Sequence, residues 1–135
     1  SLIPYTIGQV SKNFEENAII DQWIQWTTSE LQPPIADIFI NATKPPEQKQ
    51  PLHIQYSKYR IMQQTILLDK ELKNKRFLVA DKFSLADLIL CSYAQIHSIL
   101  HTDLSIYPNF NKWYHSVIDY PSLATAKSKK LVILS

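Results

Sequence analysis

The chain has 135 residues, of which 45% are hydrophobic and 19% are charged, and its formal net charge is +2. These values predict one globular domain, and they exclude both a disordered polar tail and a strongly basic nucleic-acid-binding domain. The single glycine, Gly8, excludes glycine-rich phosphate loops and disfavours the tight hairpins of a many-stranded β fold. We therefore predict an all-α fold, a bundle of about five helices.

The single cysteine, Cys91, excludes an internal disulfide bond and a zinc site built from cysteines. No apolar run approaches the roughly 20 residues that cross a bilayer, and the first residues lack the pattern of a secretory signal. We expect a cytoplasmic protein without a membrane segment.

The first part of the chain is expected to be an irregular lead-in over residues 1–14, followed by one helical domain over residues 15–135. Apolar residues at helical spacing predict a first helix from Glu15 to Leu31. The pair Pro33-Pro34 must kink or end this helix, because proline lacks a backbone donor and clashes with the preceding turn.

The middle of the chain is expected to hold a short helical piece over residues 35–40 and then a polar loop over residues 41–51. A second long helix is predicted from about Ile54 to Leu72. A short extended connector over residues 77–79 leads to a third helix from Ser84 to about Leu100.

The last predicted elements begin at prolines, which suit the first turn of a helix. A fourth helix starts near Pro108, and a last short helix is expected from Pro121. A basic patch over residues 127–130 and an apolar tail over residues 131–134 follow.

The sharpest local motif is Phe83-Ser84-Leu85-Ala86-Asp87-Leu88. Ser84 and Asp87 have the spacing of a capping box, with Asp in place of Glu, and Phe83 and Leu88 have the spacing of a hydrophobic staple. The motif predicts that Asp87 starts a buried helix and is not a catalytic base.

The spacing of two histidines only weakly favours a metal site. His97 and His101 would share a helix face, with Asp103 as a third candidate ligand, but no Glu lies between the histidines as in H-E-x-x-H. We expect no metal and a half-exposed helix end here. The sequence around Cys91 carries no signature of a His-paired nucleophile, so inert packing is expected.

Taken together, these motifs resemble the C-terminal helical domain of the glutathione transferase superfamily, over about residues 15–134. The resemblance rests on the Trp-rich helix, on Phe77 to Asp87, and on Tyr107-Pro108-Asn109-Phe110-Asn111-Lys112-Trp113. The sequence departs from the family at Ala80, where the family usually has glycine, and this is expected to alter the turn before the cap.

Residues 23–33 and the end of the chain are further similar to the transferase-like domains of methionyl- and valyl-tRNA synthetases. They are also similar to the gamma subunit of elongation factor 1 and to the small scaffold protein p18 of the multi-synthetase complex.

The resemblance implies that the glutathione site lies mainly on an N-terminal thioredoxin-like domain, for which 14 preceding residues are too few. No cofactor and no catalytic residue are therefore expected in this chain. At most it would hold the wall of a hydrophobic-substrate pocket, formed by Trp23, Trp26 and Tyr93.

Two functions remain open. The leading hypothesis is a non-catalytic docking module of the translation machinery that pairs with another transferase-like domain as a hetero- or homodimer. The alternative is the substrate-pocket half of a glutathione transferase. The residues expected to face a docking partner are His101, Asp103, Lys112, His115 and Asp119. A third and weaker option is tRNA contact through Lys127, Lys129 and Lys130.

Overall fold

The computed structural model describes residues 7–120, with side chains from residue 13 onward. Within this range the chain forms six α-helices and no β-strand, so the predicted all-α fold class is confirmed. No helix among the described residues is both long and apolar enough to cross a bilayer. The helices are α1 (Ile7–Trp26), α2 (Gln32–Ala42), α3 (Pro51–Glu71), α4 (Leu85–Ala94), α5 (Ile96–Ile99) and α6 (Pro108–Ile118).

Helix α1 begins earlier than predicted. It starts at Ile7 instead of Glu15, so residues 7–14 are helical and do not form an irregular lead-in. The apolar stripe marks only the part of a helix that packs on the core, and no proline interrupts the chain between Pro4 and Pro33. Residues 1–6 and the predicted helix from Pro121 lie outside the described residues.

The double proline does not introduce a loop. The helix continues past it, with a changed geometry just before the prolines. Helix α1 ends at Trp26, and one wide π-helical turn over Thr27–Leu31 leads directly into α2. The Gln32 N–H donates to the Thr27 carbonyl, five residues back. Pro33 and Pro34 follow in the first turn of α2, where neither can donate to the carbonyls of the preceding turn. The predicted kink at the prolines is thus a single wide turn.

The core lies between the helices and is built mainly from α3, α4 and α6. Helix α3 packs against both α2 and α6, and α4 packs against α1 and α6. The predicted long helix and the predicted fourth helix are confirmed as α3 and α6. The largest fully buried side chains include Trp113, Phe110, Ile61, Leu68, Leu90 and Ile96.

The predicted third helix is divided. Helix α4 ends at Ala94, and the single turn α5 follows after Gln95. His101 then adopts a left-handed conformation with a φ of 56°, and the Thr102 N–H donates to the His97 carbonyl over 2.9 Å. Helix α5 therefore ends in a C-terminal cap in which the left-handed residue is His101, just beyond the helix end.

The connector between α3 and α4 contains a tight turn at Val79–Lys82, where the Lys82 N–H donates to the Val79 carbonyl. Its two central residues, Ala80 and Asp81, have φ angles of 54° and 52°. Left-handed backbone costs a non-glycine residue roughly 1–2 kcal/mol. The departure of Ala80 from glycine therefore leaves the turn formed but strained.

Replacing Ala80 with glycine should raise the free energy of unfolding by about 0.5–1 kcal/mol, because relief of this strain exceeds the entropy that glycine adds to the unfolded chain. Chemical denaturation would measure the gain. The matched control is Ala18→Gly on the exposed side of α1, which should lower stability by about 1 kcal/mol. A loss of stability in both variants would contradict the strain at Ala80.

Candidate functional site

Two tryptophans of α1 form the wall of an open cleft. The Trp23 and Trp26 rings meet edge to face, with centroids 5.6 Å apart and planes at 78°. Leu67 and Glu71 of α3 and Gln22 of α1 complete the lining of a cavity of about 330 Å³. We call this cavity the tryptophan cleft. Its aromatic and aliphatic walls suit an apolar ligand.

A second cavity of about 590 Å³ adjoins the tryptophan cleft and shares Trp23 and Glu71 with it. Ile19 of α1 lines one side, and the connector residues 77–81 line the other. Lys82 of the connector forms an ion pair with Glu16 of α1 over 2.9 Å, which ties the two sides together. The two cavities therefore form one continuous surface along α1.

Tyr93 does not join this surface. Its side chain on α4 is half-buried and packs against the core, and it lines neither of the two cavities. The structure instead adds Leu67 and Glu71, which sequence reasoning did not identify. The sequence signal for this wall was Leu67 itself, a large apolar residue that falls beside the buried stripe of α3 at Ile61, Thr65 and Leu68. In the structure the Leu67 side chain is 43% exposed.

Asp87 is a structural residue, as predicted. It is fully buried, and the capping box with Ser84 is present at the start of α4. Its Oδ2 accepts from the Ser84 N–H over 3.0 Å and from the Ser84 hydroxyl over 3.2 Å. Its Oδ1 accepts from the Leu78 N–H over 3.0 Å and from the Trp113 indole N–H over 2.8 Å. One carboxylate thus joins α4, the connector and α6.

The predicted hydrophobic staple between Phe83 and Leu88 stays a prediction. The Phe83 ring stacks on Tyr120 with centroids 4.2 Å apart, and it meets Phe77 edge to face at 6.0 Å. Leu88 is half-buried. This aromatic group closes the connector against the end of α6.

A half-exposed helix end was expected at His97. In the structure His97 lies in the interior instead. Its Nε2 is 2.9 Å from the Thr65 hydroxyl, and its Nδ1 is 2.9 Å from the Thr102 hydroxyl. Burial lowers the pKa of this imidazole to about 4. Both ring nitrogens of His97 are thus occupied. The His97 side chain is buried whereas His101 is exposed, so the two do not form a pair on one helix face.

The other two candidate ligands, His101 and Asp103, are not grouped with His97 as the ligands of a metal ion would be. His101 is exposed, and Asp103 uses Oδ1 to accept from the Ser105 N–H and hydroxyl, which lowers the pKa of its carboxyl. Among the residues that the structure describes, no three His, Cys, Asp or Glu side chains are grouped to hold a metal ion. Cys91 is buried in the core.

The residues predicted to face a partner are all exposed. Lys112, His115 and Asp119 follow one another at spacings of three and four residues, on one face of α6 and at its end, while His101 and Asp103 lie before α6. Lys127, Lys129 and Lys130 lie outside the described residues.

Helices α1 and α2 form a kinked pair, and Asp87 joins the buried start of α4 to the Trp-bearing α6. Residues 31–121 match the family described as the glutathione S-transferase C-terminal domain. The chain belongs to this family.

The chain is also similar to solved structures of glutathione transferases. It matches the transferase URE2P5 from Phanerochaete chrysosporium with 24% identity and a TM-score of 0.76, over 87% of this chain and 55% of that one. It matches a possible glutathione transferase from Rhodopseudomonas palustris with 21% identity and a TM-score of 0.65, over 90% of this chain and 54% of that one. These identities show a shared fold, and the chain spans little more than half the length of either protein.

No curated protein sequence gives a significant match. The family match and these structures do not show the specific resemblance to synthetase, elongation-factor or p18 domains.

Proposed function

We propose that the chain is the helical half of a glutathione transferase and that its tryptophan cleft forms part of the wall of the apolar-substrate site. Membership of the C-terminal domain family and likeness to transferase structures support this proposal. The observation that carries it is the pair of partly exposed indoles, Trp23 and Trp26, beside Leu67 at an open cavity.

The cleft is suited to binding an apolar group. Among the described residues, its lining contains one ionisable side chain, Glu71. Activation of the glutathione thiol is assigned to a thioredoxin-like domain of the full protein. The role of this half is to hold an apolar electrophile by aromatic contact.

The test is binding of 1-(S-glutathionyl)-2,4-dinitrobenzene, the compound cocrystallised with Ure2p5 from Phanerochaete chrysosporium. The nitroaromatic ring should quench the fluorescence of Trp23 and Trp26, whereas Trp113 is only 1% exposed. Trp26→Leu should weaken binding about tenfold, which corresponds to the loss of roughly 1.4 kcal/mol of aromatic contact.

The matched control is Tyr59→Leu, which removes an exposed aromatic ring from α3 at a position outside the cleft. This variant should bind the compound as the parent chain does. Equal affinity of the parent and Trp26→Leu would overturn the assignment of the cleft.

A second candidate is the docking module that pairs with another transferase-like domain in the translation machinery. It is favoured by one observation: Lys112, His115 and Asp119 form an exposed polar face on α6. Analytical ultracentrifugation of the chain with a purified transferase-like domain of a tRNA synthetase tests it. A 1:1 complex is expected, and two unmixed species would refute it.

A further inference from the structure

A polar groove of about 440 Å³ runs between the C-terminal end of α3 and the outer face of α6. It shares no lining residue with the tryptophan cleft, but it adjoins the second cavity, with which it shares Asn74, Lys75 and Asp81. The residues that give the groove its character are three cations and three neutral polar side chains: Lys75, Arg76, Lys112, Asn74, Asn109 and Ser116.

The charge in the groove is unbalanced. Within residues 13–120, Asp81 is the only carboxylate that lines it, and the Asp81 Oδ1 already accepts from the Arg76 backbone N–H over 3.1 Å. Among the described residues, no carboxylate lies within ion-pair distance of Lys75, Arg76 or Lys112. Like charges that face one groove repel each other, and an anion between them removes that repulsion.

The donors are held on two walls. On α6, Asn109, Lys112 and Ser116 follow one another at spacings of three and four residues and therefore lie on one face. On the opposite wall, the Arg76 guanidinium carbon lies 5.1 Å from the centroid of the Phe77 ring, a cation–π contact that orients the side chain.

The first backbone N–H groups of α6 are not available to bind an anion in the groove. The N–H groups of Asn109 and Phe110 both donate to the Asp69 Oδ1, over 2.8 and 3.0 Å. An anion in the groove must therefore be held by side chains, and those available are Lys75, Arg76 and Lys112.

We propose that this groove binds the phosphate group of a small soluble ligand. Lysine and arginine together with the neutral amide donors of Asn74 and Asn109 match the several acceptor oxygens of a phosphate ester, whereas the Ser116 hydroxyl already donates to the Lys112 carbonyl over 2.9 Å. The volume lies in the range of small-molecule sites. A nucleic acid would need a basic stripe longer than this groove, and the net charge of the whole chain is only +2.

The probe is inorganic pyrophosphate, titrated into the complete chain and followed by amide chemical shifts. Saturable shifts are expected at residues 74–76 and 109–116. Lys112→Gln should weaken binding about fivefold, the scale of an exposed ion pair, and Lys75→Gln added to it should multiply the loss. Affinity should fall as salt is raised.

The matched control is Lys58→Gln, which removes an exposed lysine of α3 outside the groove and should leave affinity unchanged. Absence of saturable binding at millimolar pyrophosphate would overturn the proposal, as would equal losses in Lys58→Gln and Lys112→Gln. A short single-stranded RNA that binds more tightly than pyrophosphate and depends on Lys112 would replace the small ligand with a nucleic acid.

Discussion

Replacing Asp87 with alanine should lower the free energy of unfolding by roughly 3–5 kcal/mol. Four donors would lose their acceptor at once: the N–H of Leu78, the N–H and hydroxyl of Ser84, and the indole N–H of Trp113. Each buried donor left without a partner costs about 1–3 kcal/mol. Because Asp87 and Trp113 are almost wholly buried, water cannot readily replace the lost acceptor.

Urea denaturation followed by far-ultraviolet circular dichroism would measure this loss. Trp113→Phe removes only one of the donors and should cost less than Asp87→Ala, about 1–2 kcal/mol. Asp119→Ala is the matched control, since Asp119 is an exposed aspartate at the end of α6. A loss below about 1 kcal/mol for Asp87→Ala would contradict the central role of this carboxylate.

The start of α4 shows how far sequence reasoning reaches in this fold. The capping box was predictable because Ser84 and Asp87 are three residues apart, and such local bonds depend only on helix geometry. The bond from Trp113 to Asp87 spans 26 residues. It depends on how α6 packs against α4, which spacing along the chain does not encode.

The residues of the candidate cleft likewise divide into those that the sequence predicts and those that only the packing of helices brings together. Trp23 and Trp26 share α1 and could be predicted to lie near each other, whereas Leu67 and Glu71 reach them only through the packing of α3. Tyr93 was assigned to the same pocket by resemblance, but it lines neither of the two cavities along α1. Residues contributed by a second helix require the tertiary arrangement.

His97 carries the other large expected effect, a loss of stability in acid. The Thr65 hydroxyl donates to the Ile61 carbonyl over 2.8 Å, so the Thr65 oxygen accepts from the His97 Nε2–H. Nδ1 of the neutral ring is then left to accept from the Thr102 hydroxyl. The Phe110 ring packs 5.5 Å from the imidazole. The site therefore fits the neutral ring, and protonation places a charge in an apolar interior.

The pKa of His97 is about 4 in the folded chain, below its ordinary value of 6.5. The unfolded chain therefore binds the proton more readily, so this contribution to stability is complete above pH 6.5 and is lost as the pH falls toward 4. At one pKa unit per roughly 1.4 kcal/mol, the loss by pH 4.5 is about 2–3 kcal/mol.

His97→Gln tests this expectation, because glutamine is polar and does not titrate. At pH 7 the variant should be the less stable chain, since glutamine fills the site imperfectly. Between pH 7 and pH 4.5 it should lose about 2–3 kcal/mol less than the parent. The exposed histidines His53, His101 and His115 are present in both chains and do not contribute to the difference between them. Denaturation midpoints that fall in parallel with pH in the two chains would show that His97 does not carry the acid sensitivity.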